Sequence, residues 1–273
     1  MVDIVPDREP ALDEAASIVF GADLEELGGL SARQPFISRG PWLNGEAVNL
    51  LDAAAESGQV GRFQRAGRKS GLTALVEAGL MDAAGRLTPE GITVTAPLTA
   101  TQAAVSIHCL HPQGSSALQI QMDDQDALIL AGPSRTELDA GRLERYESLV
   151  QLDFVGLAEL APVVASWLGL GPAWTLTSGV LDFPTEVFDR RLASPDEPPP
   201  TEEPAWVRMW GEPWFIWRVQ VQSTTAGAVP EWGYVDAGRA GLHLLTVDEE
   251  RASLEPMTSG MAYRDLVSAF TDF

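Results

Sequence analysis

The sequence predicts an α+β protein: a central antiparallel sheet with helices set to its flanks, laid out twice along the chain as an approximate internal two-fold. Three observations carry this. From Val105 the hydropathy period changes from helical to two, with Val105, Ile107 and Cys109 alternating with Ser106, His108 and Leu110. The strand-like runs that follow are joined by short polar turns, which makes sequence neighbours antiparallel. The order of several strands and then one amphipathic helix occurs twice, and the apolar helix positions Leu160, Val163, Val164 and Trp167 match Tyr263, Leu266, Val267 and Phe270 at one fixed offset.

Residues 1–10 read as a frayed end, and Ala11–Phe20 as a short helix stopped by Gly21. Asn44–Glu56 is a stronger helix: Asn44 can cap it, Val48, Leu51 and Ala55 share a face, and Gly58 and Gly61 punctuate its end. In Gly71–Gly91, Leu72, Leu75, Val76 and Leu80 repeat at helical spacing before Gly79 and Asp82–Gly85 turn the chain. Thr88 then caps a new helix with Pro89 at its first position, and Pro97 closes the region.

Strands follow at Val105–Leu110, Ala117–Met122, Ala127–Ala131 and Ser148–Phe154, with Pro112–Ser116 as a turn and Ser134–Arg145 as a helix or surface loop. Gly156–Leu170 is a helix carrying Pro162 near its first turns. The second set comprises Trp214–Gln222, Glu231–Asp236, Gly241–Thr246 and Arg251–Glu255, then the helix Ser259–Phe270.

Between the sets lies Ala193–Pro204 (ASPDEPPPTEEP), with five prolines and four carboxylates. Such a stretch cannot bury itself, so it reads as an exposed, extended connector. The division is residues 1–192, containing a helical N-terminal part and a winged-helix-like stretch at 44–97, then the 193–204 connector, then 205–273, as two halves or one merged domain.

A chain of 273 residues with 45% hydrophobic content can bury one large core or two small ones. Its 39 acidic and 18 basic residues give a formal net charge of −21. A polyanion of that strength is repelled by nucleic-acid backbones and anionic lipid, and the same charge keeps a protein dispersed. Cys109 is the sole cysteine and sits in an apolar run, as a small core hydrophobe does. The N-terminus lacks a basic start followed by an apolar run, and no apolar stretch reaches the roughly 18–20 residues of a membrane span, so the expected location is cytoplasmic.

Few motifs carry chemistry. Gly61–Ser70 (GRFQRAGRKS) fails as a phosphate loop because its lysine does not follow the second glycine and no strand precedes it. Arg62, Arg65, Arg68 and Lys69 form the one basic cluster, which is either a DNA-facing element or an ion-pair patch on an acidic protein. His108 and Cys109 point to opposite faces of a strand, so with His111 they do not build a metal site, and His243 stands alone. Asp123, Asp124 and Asp126 suit a tight turn and lack the other ligands of a calcium loop. No nucleophile motif is visible. The expectation is a non-enzymatic protein with no catalytic, metal or cofactor residues.

Trp206, Trp210, Trp214, Trp217 and Trp232 fall within 27 residues. Trp214-Phe215-Ile216-Trp217 reads as a buried central strand. Trp206 and Trp210, beside the connector, are expected on the surface as anchors for a partner, because aromatic residues dominate such contacts.

The order of elements resembles one family. Leu75–Leu87 (LVEAGLMDAAGRL), the break at Pro97, the strands ending in Val150–Val155 and the Gly156–Leu170 helix are similar to the first half of the EspG proteins, the cytosolic chaperones of type VII secretion systems in actinobacteria. Tyr234-Val235-Asp236-Ala237-Gly238-Arg239 resembles the family's acid, glycine and arginine stretch in a late strand and turn, and Leu254–Met257 with the last helix resembles its closing segment. The likeness spans about residues 44–273. It implies a central antiparallel sheet flanked by helical bundles, no catalysis, and binding of a helical secretion substrate of the PE/PPE or WXG type. It also implies a partner surface made from the turn Pro112, Gln113, Gly114, Ser115 and Ser116 together with a C-terminal bundle of Trp167–Trp174 and Met261–Phe270. Met261 and Phe270, with Trp206 and Trp210, complete the expected partner-binding set. The acidic connector and the heavy tryptophan strand depart from the family pattern. The alternative reading is a winged-helix transcriptional regulator joined to a ligand-sensing or dimerisation domain.

Overall fold

The computed structural model describes residues 36–38, 40–141, 146, 148–171, 177, 179–223 and 231–271. The expected helix Ala11–Phe20, Trp174 and most of 142–147 lie outside the described residues.

Ten strands form a single antiparallel sheet in the order β1-β5-β4-β3-β2-β7-β8-β9-β10-β6. They are β1 (Trp42–Asn44), β2 (Ala103–His111), β3 (Gly114–Met122), β4 (Asp126–Ala131), β5 (Leu149–Gly156), β6 (Leu181–Pro184), β7 (Phe215–Ser223), β8 (Glu231–Asp236), β9 (Leu242–Val247) and β10 (Arg251–Met257). β2 to β5 form one meander and β7 to β10 a second. The two join at the centre through β2 and β7, with Cys109 opposite Trp217.

One face of the sheet carries two helices, α6 (Leu157–Trp167) and α9 (Ser259–Thr271), which pack on each other. The period-two pattern explains what lies beneath them. Val105, Ile107 and Cys109, with Phe215, Trp217 and Val219, all point to this face and meet Leu160, Val164 and Leu266. Trp217 stacks on Tyr234 at 4.1 Å between ring centroids. Such a pair adds about 1 kcal/mol beyond its burial.

The other face holds two separate cores. Under the first meander lie α1 (Gly45–Ala55), α2 (Arg62–Arg65), α3 (Lys69–Glu77) and α4 (Pro89–Thr99). Leu50, Leu51, Leu75 and Val94 from this group pack on Leu128 and Leu152 of the sheet, so the 44–97 stretch shares its core with the strands. Asn44 Oδ1 accepts from the Ala47 amide at 2.9 Å, and Thr88 Oγ1 from the Gly91 amide at 3.0 Å, as the capping pattern predicts. Under the second meander lie α7 (Thr185–Ala193) and α8 (Pro204–Gly211), whose Phe188, Trp206, Met209 and Trp210 meet Ile216, Val235 and Leu254. A short helix, α5 (Arg135–Asp139), follows β4 within the expected 134–145 stretch.

Two boundaries differ from expectation. Pro97 does not end its helix: α4 continues to Thr99, and the Thr101 hydroxyl donates back to the Pro97 carbonyl at 2.5 Å. A proline two residues before the last residue of a helix forfeits one amide bond, and a hydroxyl can still tie down the last carbonyls. The turn expected at Pro112–Ser116 is only Pro112-Gln113, because β3 begins at Gly114, paired with His111. Gly114 has φ +146°, a backbone region that glycine reaches without strain and that lets the hairpin close in two residues.

Candidate docking surface

The register places many elements at one end of the sheet. There β2 ends at His111 and β3 begins at Gly114. Leu110 pairs with Ile216, Phe215 with Asp236, Asp236 with Leu242, and Leu242 with Met257. The hairpin tip, the start of β7, the turn after β8 and the start of α9 therefore share this end. The C-terminus of α6 reaches it too, since Trp167 Nε1 donates to the Gly132 carbonyl at 2.9 Å.

The hairpin is held from beneath. The Gln113 amide donates to His111 Nδ1 at 3.1 Å, which makes Nδ1 an acceptor and puts the imidazole proton on Nε2. Nε2 then donates to Asp139 Oδ1 at 3.0 Å. Arg135 Nε donates to both oxygens of Asp139 at 3.0 Å, and its Nη1 donates to Asp236 Oδ2 at 3.2 Å. The Arg135 guanidinium lies over the Phe215 ring, 4.4 Å from its centroid. Burial opposes ionisation of Asp139, but the His111 hydrogen bond and the Arg135 charge outweigh it and hold the carboxyl below its ordinary range. Asp236 Oδ1 also accepts from the Gly238 amide at 2.8 Å, closing the turn after β8. The one guanidinium ties both carboxylates together and the network fixes the hairpin; its groups do not converge on a reacting atom.

Around this anchor, Pro112, Gln113 and Ser115 are exposed and Gly114 is half-buried. Leu110 is 43% exposed beside Ser115, its cross-strand partner, and Met261 is 42% exposed at the start of α9. The Thr258 hydroxyl accepts from the Met261 amide at 3.2 Å and fixes that helix start. Ser116 is buried, with its hydroxyl donating to the Pro133 carbonyl at 2.7 Å, so it supports the hairpin from inside.

The remaining expected partner residues are elsewhere. Phe270 is buried at the far end of α9, in the main core. Trp206 and Trp210 are not surface anchors: each is 2% exposed. The connector folds back over α8, so that Trp210 Nε1 donates to the Glu197 carbonyl at 2.8 Å and Phe183 meets the Trp210 ring edge-on. An indole that finds a carbonyl for its N–H gains from burial, and a short helix with apolar residues on one stripe presents that stripe to the sheet. Arg191 completes this core. It donates to the carbonyls of Trp210 and Glu212 and lies over Trp214, 4.6 Å from the ring centroid.

Sequence reasoning missed Leu110 and the Arg135–Asp139–His111 anchor. Leu110 breaks the alternation of β2 by being apolar at an outward position, and that was the available signal. The anchor joins residues far apart in sequence and left none. Cys109 is buried in the main core, and burial pushes its thiol well above the ordinary range. Among the described residues no group of His, Cys, Asp and Glu side chains is placed to hold a metal ion, and no helix is long and apolar enough to cross a membrane.

No protein-family model and no curated protein sequence matches the chain. Among solved structures, the chain is similar to the Mycobacterium tuberculosis type VII secretion system chaperone EspG5, determined in complex with a PE25-PPE41 dimer, at 13% identity and a TM-score of 0.50. The likeness covers 85% of this chain and 95% of that one. At this identity it shows a shared fold alone, a large antiparallel sheet with several helices.

Proposed function

We propose that this chain is an EspG-like, non-enzymatic chaperone of the cytoplasm. It binds a helical type VII secretion substrate, a PE/PPE-type or WXG-type protein, and keeps that substrate's apolar end soluble before export. The observation that carries the reading is the hairpin end of the sheet. An outward hairpin, Pro112–Ser115, stands with Leu110 on a rigid ion-paired base, and Met261 is exposed at the same end. Few exposed anchors on a fixed frame are what a helical tip needs for burial, because the frame loses little entropy on binding. The complex of EspG5 with a PE25-PPE41 dimer supports the class of client.

The reading includes an approximate internal two-fold with helical bundles on the flanks. The strand order supports it: from either edge inward it runs a short first strand, then a four-stranded meander traversed from its last strand to its first. In each half the short strand is followed by helices, then by the meander, then by the helix on the opposite face. The merged domain arrangement goes with it, the portions on either side of the 193–204 connector sharing one sheet.

The test is co-expression with each PE/PPE-type or WXG-type pair encoded beside this chain, followed by gel filtration. The expected result is one co-eluting complex, lost in the Leu110→Asp and Met261→Asp variants while both remain folded. Failure to co-elute with every such pair, or co-elution unchanged in both variants, overturns the reading.

A further inference from the structure

We propose that α2 and the start of α3 form a second docking site, separate from the hairpin end, that takes a short acidic segment of a partner protein carrying an apolar residue. Phe63 is 92% exposed, the highest value for a large hydrophobic side chain among the described residues. Arg62 and Lys69 beside it are exposed and Arg68 is half-buried. This is the one basic cluster on a chain of net charge −21. Among the described residues no carboxylate lies within ion-pair distance of Arg62, Arg68 or Lys69.

The neighbouring side chains are already committed, which leaves Phe63 and the cations facing outward on a fixed base. Gln64 Oε1 accepts from the Gly61 amide at 2.9 Å. Arg65 lies over the Asp82–Gly85 turn, where its Nη1 donates to the Ala84 carbonyl, and a Cβ on Gly85 would stand 2.8 Å from its Cδ. Gly71 packs against the backbone of Glu46 and Ala47 in α1, which locks α3 to that helix.

Charge complementarity selects the occupant. Arginine pairs with carboxylates through two parallel hydrogen bonds, and an exposed phenyl ring beside it offers an apolar contact. A short acidic segment brings few charges and meets the rest of the acidic body only briefly. A nucleic acid brings a charge about every 1.7 Å of duplex and is repelled along its whole length beyond the patch. The outer surface of α3 also suits DNA poorly, because with Lys69 it presents Thr73, Val76 and Glu77.

The test uses a fluorescent synthetic peptide of Asp and Glu with leucine at every third position, titrated against the full chain at about 50 mM salt and read by anisotropy. Binding is expected to weaken as salt rises. It is expected to fall by roughly tenfold or more in Phe63→Ala and in the Arg62→Glu/Lys69→Glu double variant. All three substitutions are at exposed positions, and unchanged circular dichroism checks that each variant folds. Absence of peptide binding overturns the proposal. So does binding that survives Phe63→Ala, which would mark a loose ionic contact, and so does tighter, Phe63-dependent binding of a single-stranded or duplex DNA oligonucleotide.

Discussion

Arg135 and Asp236 are 101 positions apart in sequence and meet through a 3.2 Å hydrogen bond between Nη1 and Oδ2, which ties the short helix between β4 and β5 of the first meander to the last residue of β8 in the second. The same guanidinium holds Asp139, and Asp139 holds His111 under the hairpin. The interaction thus joins the two halves and fixes the proposed client surface.

Arg135→Ala and Asp236→Asn should each destabilise the protein, and a double-mutant cycle should give a coupling energy of about 1 kcal/mol. The pair is partly buried, which places it above a typical surface ion pair and below a buried one. Urea unfolding of the four proteins checks this. A coupling energy indistinguishable from zero would mean that the contact adds nothing to the joining of the halves.

Stability should fall in mild acid because of His243. The side chain is fully buried in β9, with Nε2 2.8 Å from the Thr177 hydroxyl and the Trp206 ring beside it. Burial pushes its pKa down from 6.5 to about 4. The folded state therefore keeps the imidazole neutral while the unfolded chain takes up a proton below pH 6.5. This contribution is present in full above pH 6.5 and is lost as pH falls through 6.5 towards 4, reaching about 3 kcal/mol. His243→Gln should flatten the stability profile between pH 6.5 and 4 in denaturant titrations at stepped pH. An unchanged slope would assign the acid sensitivity to other groups.

Trp210→Ala should cost about 3–5 kcal/mol. Its ring packs edge-on against Phe183 and Trp214, and its indole N–H is bonded to Glu197. A surface anchor replaced by alanine would change stability by only a few tenths of a kcal/mol, so a guanidinium melt separates the two roles.

Gly91→Ala should destabilise despite the better helix propensity of alanine. Propensity favours the change by about 1 kcal/mol. A Cβ at this position, however, would stand 2.1 Å from the Leu80 carbonyl oxygen. The clash is with backbone, which no rotamer change relieves, and overpacking of this kind costs about 1–3 kcal/mol. A lowered midpoint in thermal unfolding, with the helical signal retained below it, is the expected result.

Local patterns fixed most of the element list. Alternation in Val105–Leu110 and Arg251–Glu255, the caps at Asn44 and Thr88, and the 3.6-residue stripes of α6 and α9 are properties of neighbouring residues, and each folded as its pattern implies. Pro97 was misread because a proline signal is local while the Thr101 hydroxyl that tolerates it lies beyond the helix. Trp206 and Trp210 were misplaced because composition records that aromatic residues are sticky and says nothing about which surface they stick to.

The sequence by itself determined the α+β class, the antiparallel pairing, the strongly acidic charge and the lack of a recognised catalytic motif, because periodicity, turn chemistry and charge are written in adjacent residues. Only the tertiary structure decided that the two meanders meet at β2 and β7 and that the connector folds back to cover tryptophans. It alone brings the Pro112-Gln113 tip, Met261 and the Arg135 anchor to one end of the sheet. Those are contacts between residues tens to over a hundred positions apart, set by which apolar faces exclude water together, and a linear pattern carries no record of that choice.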